Sequence, residues 1–394
     1  MPFTLHLLGL AVFAQGTSEF MLSGLVPDIA ADLGVSIPAA GSLTSAFALG
    51  MVVGAPSMAL LARRWSRRRA LLGFLLTFLG VHVLGALTTS FPVLFATRVV
   101  GALANAGFLA VAVVTATAMV GPDAKGRATS VLLGGVTLAC VAGVPAGALL
   151  GQVWGWRSAF WAVALLSLPA LLAVARSVPG GAPDAAAPGA RRELTALREP
   201  RLRLVLLLGA LVNGATFCAF TYLAPVVTEV TGWDSARVPV VLALFGLGSF
   251  LGVTLGGRLA DSGAVRLPVA GGVLLALCWA GFALTAGNTP ATVVFVLVQG
   301  TMSFAVGSTL IARALYAAPG APTLAGAFAT AAFNVGAAAG PWLGGLAIGA
   351  GLGYRSALWV SSALVALALA VAGAAWAARR GTADRRSPSP TTAV

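Results

Sequence analysis

The sequence predicts an all-α membrane protein, twelve transmembrane helices in two pseudo-symmetric six-helix halves, and three observations predict it: composition, an internal repeat and the placement of arginine. Of 394 residues, 59% are hydrophobic and only 9% charged, where a soluble domain would carry roughly a quarter charged residues. The heptapeptide Gly155-Trp156-Arg157-Ser158-Ala159-Phe160-Trp161 returns as Gly353-Tyr354-Arg355-Ser356-Ala357-Leu358-Trp359, a shift of 198 positions. The same shift carries Pro27 onto Pro225, Gly34 onto Gly232, Phe47 onto Phe245, Gly50 onto Gly248, Gly54 onto Gly252 and Leu61-Ala62 onto Leu259-Ala260. Matches at one offset across most of each half identify a duplicated membrane unit.

Crossing the hydrocarbon takes about 20 apolar residues. Such stretches run approximately over residues 3 to 26, 38 to 61, 70 to 88, 92 to 119, 128 to 151, 157 to 175, 203 to 227, 237 to 258, 267 to 287, 290 to 315, 323 to 349 and 355 to 377. Helices are the reading for all of them, because strand alternation is missing and each backbone polar group in lipid must be satisfied within its own segment. Span 1 has no basic n-region and matches span 7, so it is read as a retained span rather than a signal peptide. The halves are expected at residues 1–175 and 203–378. Between them lies a linker, 176–202, that opens Pro179-Gly180-Gly181-Ala182-Pro183 and continues into a short amphipathic helix over 191–198. The tail, 379–394, is rich in Ser, Pro and Thr and is expected to be disordered.

The formal charge of +13 does not point to nucleic acid, because the basic residues follow the positive-inside rule. Twenty of the 24 Lys and Arg residues fall in the connections after spans 2, 4, 6, 8 and 10 and in the tail. Only Arg157, Arg237 and Arg355 fall on the opposite face, and Arg98 is inside a span. Both termini are therefore expected on the cytoplasmic side. Cys140, Cys218 and Cys278 lie inside spans, where cysteine behaves as a small apolar residue, and no disulfide or metal site is expected. No P-loop, zinc-ligand helix or serine, histidine and acid arrangement occurs, which argues against a self-contained ATP-driven pump and against an enzyme.

Glu19 is the one carboxylate well inside a span. It lies eight residues before Pro27 on span 1, and Arg98 lies six residues after Pro92 on span 4. At about 1.5 Å of rise per residue and with opposite chain directions, the two share a depth. A charge at that depth costs several kcal/mol unless it faces a cavity or a partner, so the pair is a candidate for proton binding, against the plainer reading of a fixed bridge between helices. Asn105 is seven residues beyond Arg98, on the same face. On span 7, Asn213, Phe217 and Phe220 lie at i, i+4 and i+7, followed by Tyr222. This aromatic stripe with one amide suits an apolar, uncharged aromatic ligand. Gln15, Ser23, Gln299 and Asn334 complete the candidate contacts, and His82 is the next candidate for carrying a proton. Gly143, Pro145 and Gly147 in span 5 and Gly340-Pro341 in span 11 suit close helix contact with a bend.

The segment Ala59-Leu60-Leu61-Ala62-Arg63-Arg64-Trp65-Ser66-Arg67-Arg68 resembles the cytoplasmic signature of the major facilitator superfamily, echoed by Gly257-Arg258-Leu259-Ala260-Asp261. It differs in having Ala59 and Ser66 for glycines and Arg63 where an aspartate is usual. The resemblance implies gating roles for Arg63, Arg64, Arg67, Arg68 and Asp261, and the span 5 and span 11 Gly-Pro motifs look like those of the superfamily's drug/proton antiporters. Gly16-Thr17-Ser18-Glu19-Phe20-Met21, Ala102 to Val111 and Phe220-Thr221-Tyr222-Leu223-Ala224-Pro225 resemble the chloramphenicol exporters of actinomycetes. What this implies is proton-coupled efflux of a small neutral drug by a monomer of the bacterial cytoplasmic membrane, with no cofactor. A sugar or metabolite permease of the same fold is the alternative, but it would need more hydrogen-bonding cavity residues. A membrane-embedded enzyme would need a catalytic cluster.

Overall fold

The structure, a computed structural model, describes residues 3–62, 65–121, 125–178, 194–261, 267–318 and 325–384. Twelve spans follow in order: α1 Phe3–Phe20, extended by a 3-10 turn Met21–Gly24; α2 Ile37–Ala62; α3 Arg67–Leu87; α4 Phe91–Ala118; α5, Lys125–Leu138 and Val144–Trp154 joined by a π turn Ala139–Gly143; α6 Arg157–Ser177; α7 Pro200–Thr221; α8 Val238–Asp261; α9 Leu267–Thr285; α10 Thr289–Tyr316; α11 Ala325–Ala347; and α12 Arg355–Asp384. Eleven are long and apolar enough to cross a membrane, and α9 supplies a shorter apolar helix, Ala270–Thr285. The sequence places the last span at 355 to 377, but the helix runs on to Asp384. Of the expected linker helix, a 3-10 turn at Leu194–Arg198 is described, and residues 191–193 lie outside the described residues.

The repeat is a set of chain-reversal devices. Gly155 and Gly353 have φ of 78° and 72°, a conformation that side chains disfavour. Three residues on, Ser158 and Ser356 each donate a hydroxyl to that glycine's carbonyl, at 2.7 and 2.6 Å, and so start α6 and α12. Gly34 and Gly232 likewise turn the chain with φ of 63° and 75°. In the first half the turn is also clamped: Arg157 contacts the Asp32 carboxylate at 2.5 Å and donates to the Thr88 carbonyl at 3.0 Å.

Spans α7 and α11 make a close helix contact. A side chain at Gly336 or Gly340 would run into the backbone of Ala210 and Gly214, so these residues must be small for the two backbones to touch. In α5, Pro145 has no N–H for the carbonyl one turn earlier, and the chain widens there into the π turn. Gly143 and Gly147 of this segment lie against Thr17 and Met21 of α1. The halves meet through α2 with α11 and α5 with α8. On the face away from the arginine-rich connections the seam is tight: Gly41 of α2 lies against the Tyr222 ring, Gly345 of α11 against Pro38, and Gln152 donates to the Ser235 carbonyl at 2.5 Å. Helix α8 packs on the π turn and outer half of α5, with no comparable contact to Lys125–Leu138 among the described residues. The central seam is therefore closed on the side away from the arginine-rich connections.

Candidate functional site

Glu19 sits at the end of α1, half-buried, and its carboxylate has no hydrogen bond or ion pair among the described residues. Arg98 does not bridge to it. The guanidinium donates from one terminal nitrogen to Ser18 Oγ at 2.8 Å and from the other to the Ser18 carbonyl at 2.7 Å, and lies 4.5 Å over the Phe47 ring. The depth match expected for Glu19 and Arg98 is thus correct to one residue, but Arg98 is anchored on Ser18, and the fixed bridge is not formed.

Ser18 also fixes His82. The ring lies 2.7 Å from the Phe78 carbonyl at Nδ1 and 2.6 Å from Ser18 Oγ at Nε2. A carbonyl can only accept, so Nδ1 carries the proton. Ser18 Oγ accepts from Arg98, and its own proton points at Nε2. The chain of bonds therefore runs Arg98 to Ser18 to His82 to Phe78, with a neutral imidazole whose lone pair is already used. His82 is wedged between Phe78 and Phe160, ring centroids 4.1 and 5.8 Å away. This arrangement makes it a structural partner of Ser18 rather than a proton carrier in this state.

Gln15, one turn before Glu19, is buried with neither amide atom partnered, and so is Gln299 of α10. Buried amides without partners are uncommon in folded proteins. The aromatic stripe crosses the seam. Phe20 of α1 lies 5.7 Å from Phe217 of α7, Phe217 lies 6.4 Å from Phe220, and Phe220 stacks at 4.6 Å on Phe245 of α8. Phe220, Phe245, Trp279, Phe282 and Gln299 line one small void in the second half.

Other candidates are already engaged. Asn105 donates to the Met51 sulfur at 3.5 Å, Asn213 to the Phe333 carbonyl at 2.7 Å, and Asn334 to the Thr330 carbonyl of its own helix at 3.0 Å. Ser23 is buried in the 3-10 turn. Tyr222 is fully buried and donates to the Pro341 carbonyl at 2.9 Å, so it serves the α2, α7 and α11 seam instead of lining the cleft. Among the gating candidates, Arg68 donates to the Ala175 carbonyl of α6, a bond within the first half; Arg67 opens α3 and Asp261 closes α8. Arg63 and Arg64 lie outside the described residues. Sequence reasoning passed over Ser18, Phe47, Phe245 and Trp279 as site residues. The recurrence of Phe47 as Phe245 was the available signal for two of them.

A duplicated bundle of twelve apolar helices is the build of a membrane transporter, and comparison with known proteins bears this out. The family model for the Major Facilitator Superfamily matches residues 8–323, and the chain belongs to that family. It is 57% identical over 375 residues to the "Chloramphenicol resistance protein" of Streptomyces lividans, covering 94% of this chain and 96% of that one. It is 35% identical over 371 residues to the "Inner membrane transport protein YdhP" of Escherichia coli K12, covering 94% and 95%. Its fold matches the crystal structure of a bacterial homolog of the human lysosomal transporter Spinster, with a TM-score of 0.76, 19% identity and 98% coverage of both chains. The chain is a multi-pass membrane transporter and not an enzyme.

Proposed function

We propose that the chain exports a small, neutral, amphipathic drug of the phenicol type, chloramphenicol above all, in exchange for protons. It works by alternating access as a monomer of the bacterial cytoplasmic membrane, with both termini inside. The observation that carries this reading is the position of Glu19. It is an acid deep in a span, without a hydrogen-bond or ion-pair partner among the described residues, one residue from an aromatic chain that joins the two halves. A proton neutralises that acid, and a neutral aromatic guest would bind against Phe20, Phe217 and Phe220 when these packed rings part, with Gln15 supplying an amide one helical turn away.

Arg98, held on Ser18, keeps a positive charge near Glu19 without neutralising it by contact. The acid is thereby left free to exchange its proton when the site opens. The similarity to a chloramphenicol resistance protein over nearly the whole chain supports the substrate class. The arrangement of arginines supports the orientation. The gradient supplies the energy, and no cofactor enters the scheme. The test is drug accumulation in an efflux-deficient bacterium. Cells expressing the chain should hold less chloramphenicol and resist it, and a protonophore should remove the difference. Unchanged accumulation across phenicols would reject the substrate, and export indifferent to the protonophore would reject the coupling.

A further inference from the structure

A second cavity, apart from the central seam, lies inside the second half at its arginine-rich end. It has a volume of about 440 Å³ and is walled by α7, α9, α10 and α12. The walls are apolar, with Val212, Val306 and Val365 at its buried end. Arg201 and Arg313 line the other end beside the exposed Tyr316.

The repeat explains why this space exists. In the first half the corresponding positions hold Phe74, Phe108 and Val174, which belong to one buried cluster. Adding the 198-residue shift turns these into Gly272, Val306 and Ala372, each smaller than its counterpart and each lining the cavity. One half fills the space with its own side chains; the other leaves it to be filled. An apolar cavity of this size left empty forfeits packing on every wall.

We propose that the cavity holds an acyl chain of an anionic phospholipid from the leaflet on the arginine-rich side, with the phosphate of its headgroup on Arg201 and Arg313. The dimensions fit. From Arg201 to Val212 is eleven residues of helix α7, about 16 Å at 1.5 Å per residue, close to half of the ~30 Å hydrocarbon thickness. The polarity fits as well: a lipid of that leaflet points its chain inward and its phosphate outward, the order in which the cavity runs from valines to arginines. Basic pockets between transmembrane helices on the cytoplasmic side are suited to anionic headgroups.

The test uses the purified full-length protein in detergent, with added phosphatidylglycerol or phosphatidylcholine of identical acyl chains. It reads the shift in unfolding temperature and the lipid retained in native mass spectrometry, and neither reading involves transport, so failure here is distinct from failure of the export proposal. Wild type should retain phosphatidylglycerol and be stabilised by it more than by phosphatidylcholine. Val306→Phe, which restores the first half's packing, should abolish retention and the lipid-dependent shift. Ala372→Leu does the same by a milder filling if the first variant fails to fold. Arg201→Gln should remove the preference for phosphatidylglycerol while leaving the response to phosphatidylcholine. Equal response to both lipids in wild type, or undiminished retention in both filled variants, would overturn the proposal.

Discussion

Gly41→Ala offers a direct handle on the closed outer seam. A Cβ at this position would lie 2.5 Å from the Tyr222 hydroxyl oxygen and 2.8 Å from two of its ring carbons, well inside ordinary contact. Tyr222 cannot retreat easily, because it is fully buried and its hydroxyl is bonded to the Pro341 carbonyl at 2.9 Å. The halves must therefore part where α2 meets α7 and α11. Overpacking of this kind costs about 1 to 3 kcal/mol, and the strain is relieved when the outer seam opens. The equilibrium should shift toward the outward-open form by a factor of about 5 to 150, since each 1.4 kcal/mol is tenfold. Cys140 reports the shift, because it lies on α5 where α8 closes over it at Gly246. A membrane-impermeant maleimide added outside intact cells should label Cys140 slowly in wild type and several-fold faster in Gly41→Ala. Labelling at the wild-type rate together with wild-type export would show that this seam does not gate the outer side.

Ser18→Ala should orphan one Arg98 N–H and the His82 Nε2 lone pair in a buried site. A loss of about 2 to 4 kcal/mol follows from one charged and one neutral hydrogen bond, and its effect should be non-additive with His82→Leu in a double-mutant cycle read by thermal unfolding. Tyr222→Phe leaves the Pro341 carbonyl without its partner and should destabilise by about 1 to 2 kcal/mol, with little change in drug affinity by direct binding. On the outer face, hydrogen bonds from Arg157 and then Trp156 hold Asp32 below its usual pKa. A depressed folded-state pKa contributes stability above the ordinary carboxylate range and loses it as pH falls through the lowered value. Asp32 is 44% exposed, so the contribution is below about 1 kcal/mol. Asp32→Asn should unfold slightly earlier at neutral pH and match wild type only in strong acid.

The parts of the fold legible in the sequence were those that rest on backbone constraints. Gly155 and Gly353 recur because only glycine takes their φ comfortably, and Gly336 and Gly340 stand in span 11 because two backbones touch there. The limits of the reading are also physical. Tyr222 reads as the next member of the α7 stripe, but the helix ends at Thr221, and Tyr222 has φ −103° and ψ 14°, so helical spacing no longer predicts where it points. A serine in an apolar helix usually bonds back to its own turn, as Ser167 does to Val163. Ser18 instead meets partners 64 and 80 residues away, which no local pattern reveals. The extension of α12 is hidden in the composition of the tail, whose first residues, Arg379-Arg380, continue the helix-forming Ala377-Ala378, while the Ser-Pro-Ser-Pro run begins only at Ser387.

The central claim is that the Glu19 carboxyl carries the proton exchanged for drug. It is tested most directly with purified protein in sealed vesicles under an imposed pH gradient, following labelled chloramphenicol in wild type and Glu19→Gln. The account predicts uphill movement of drug in wild type that collapses with the gradient, and a mutant that still binds drug but moves it only down its own concentration difference. Gradient-driven accumulation by Glu19→Gln at the wild-type rate would contradict it.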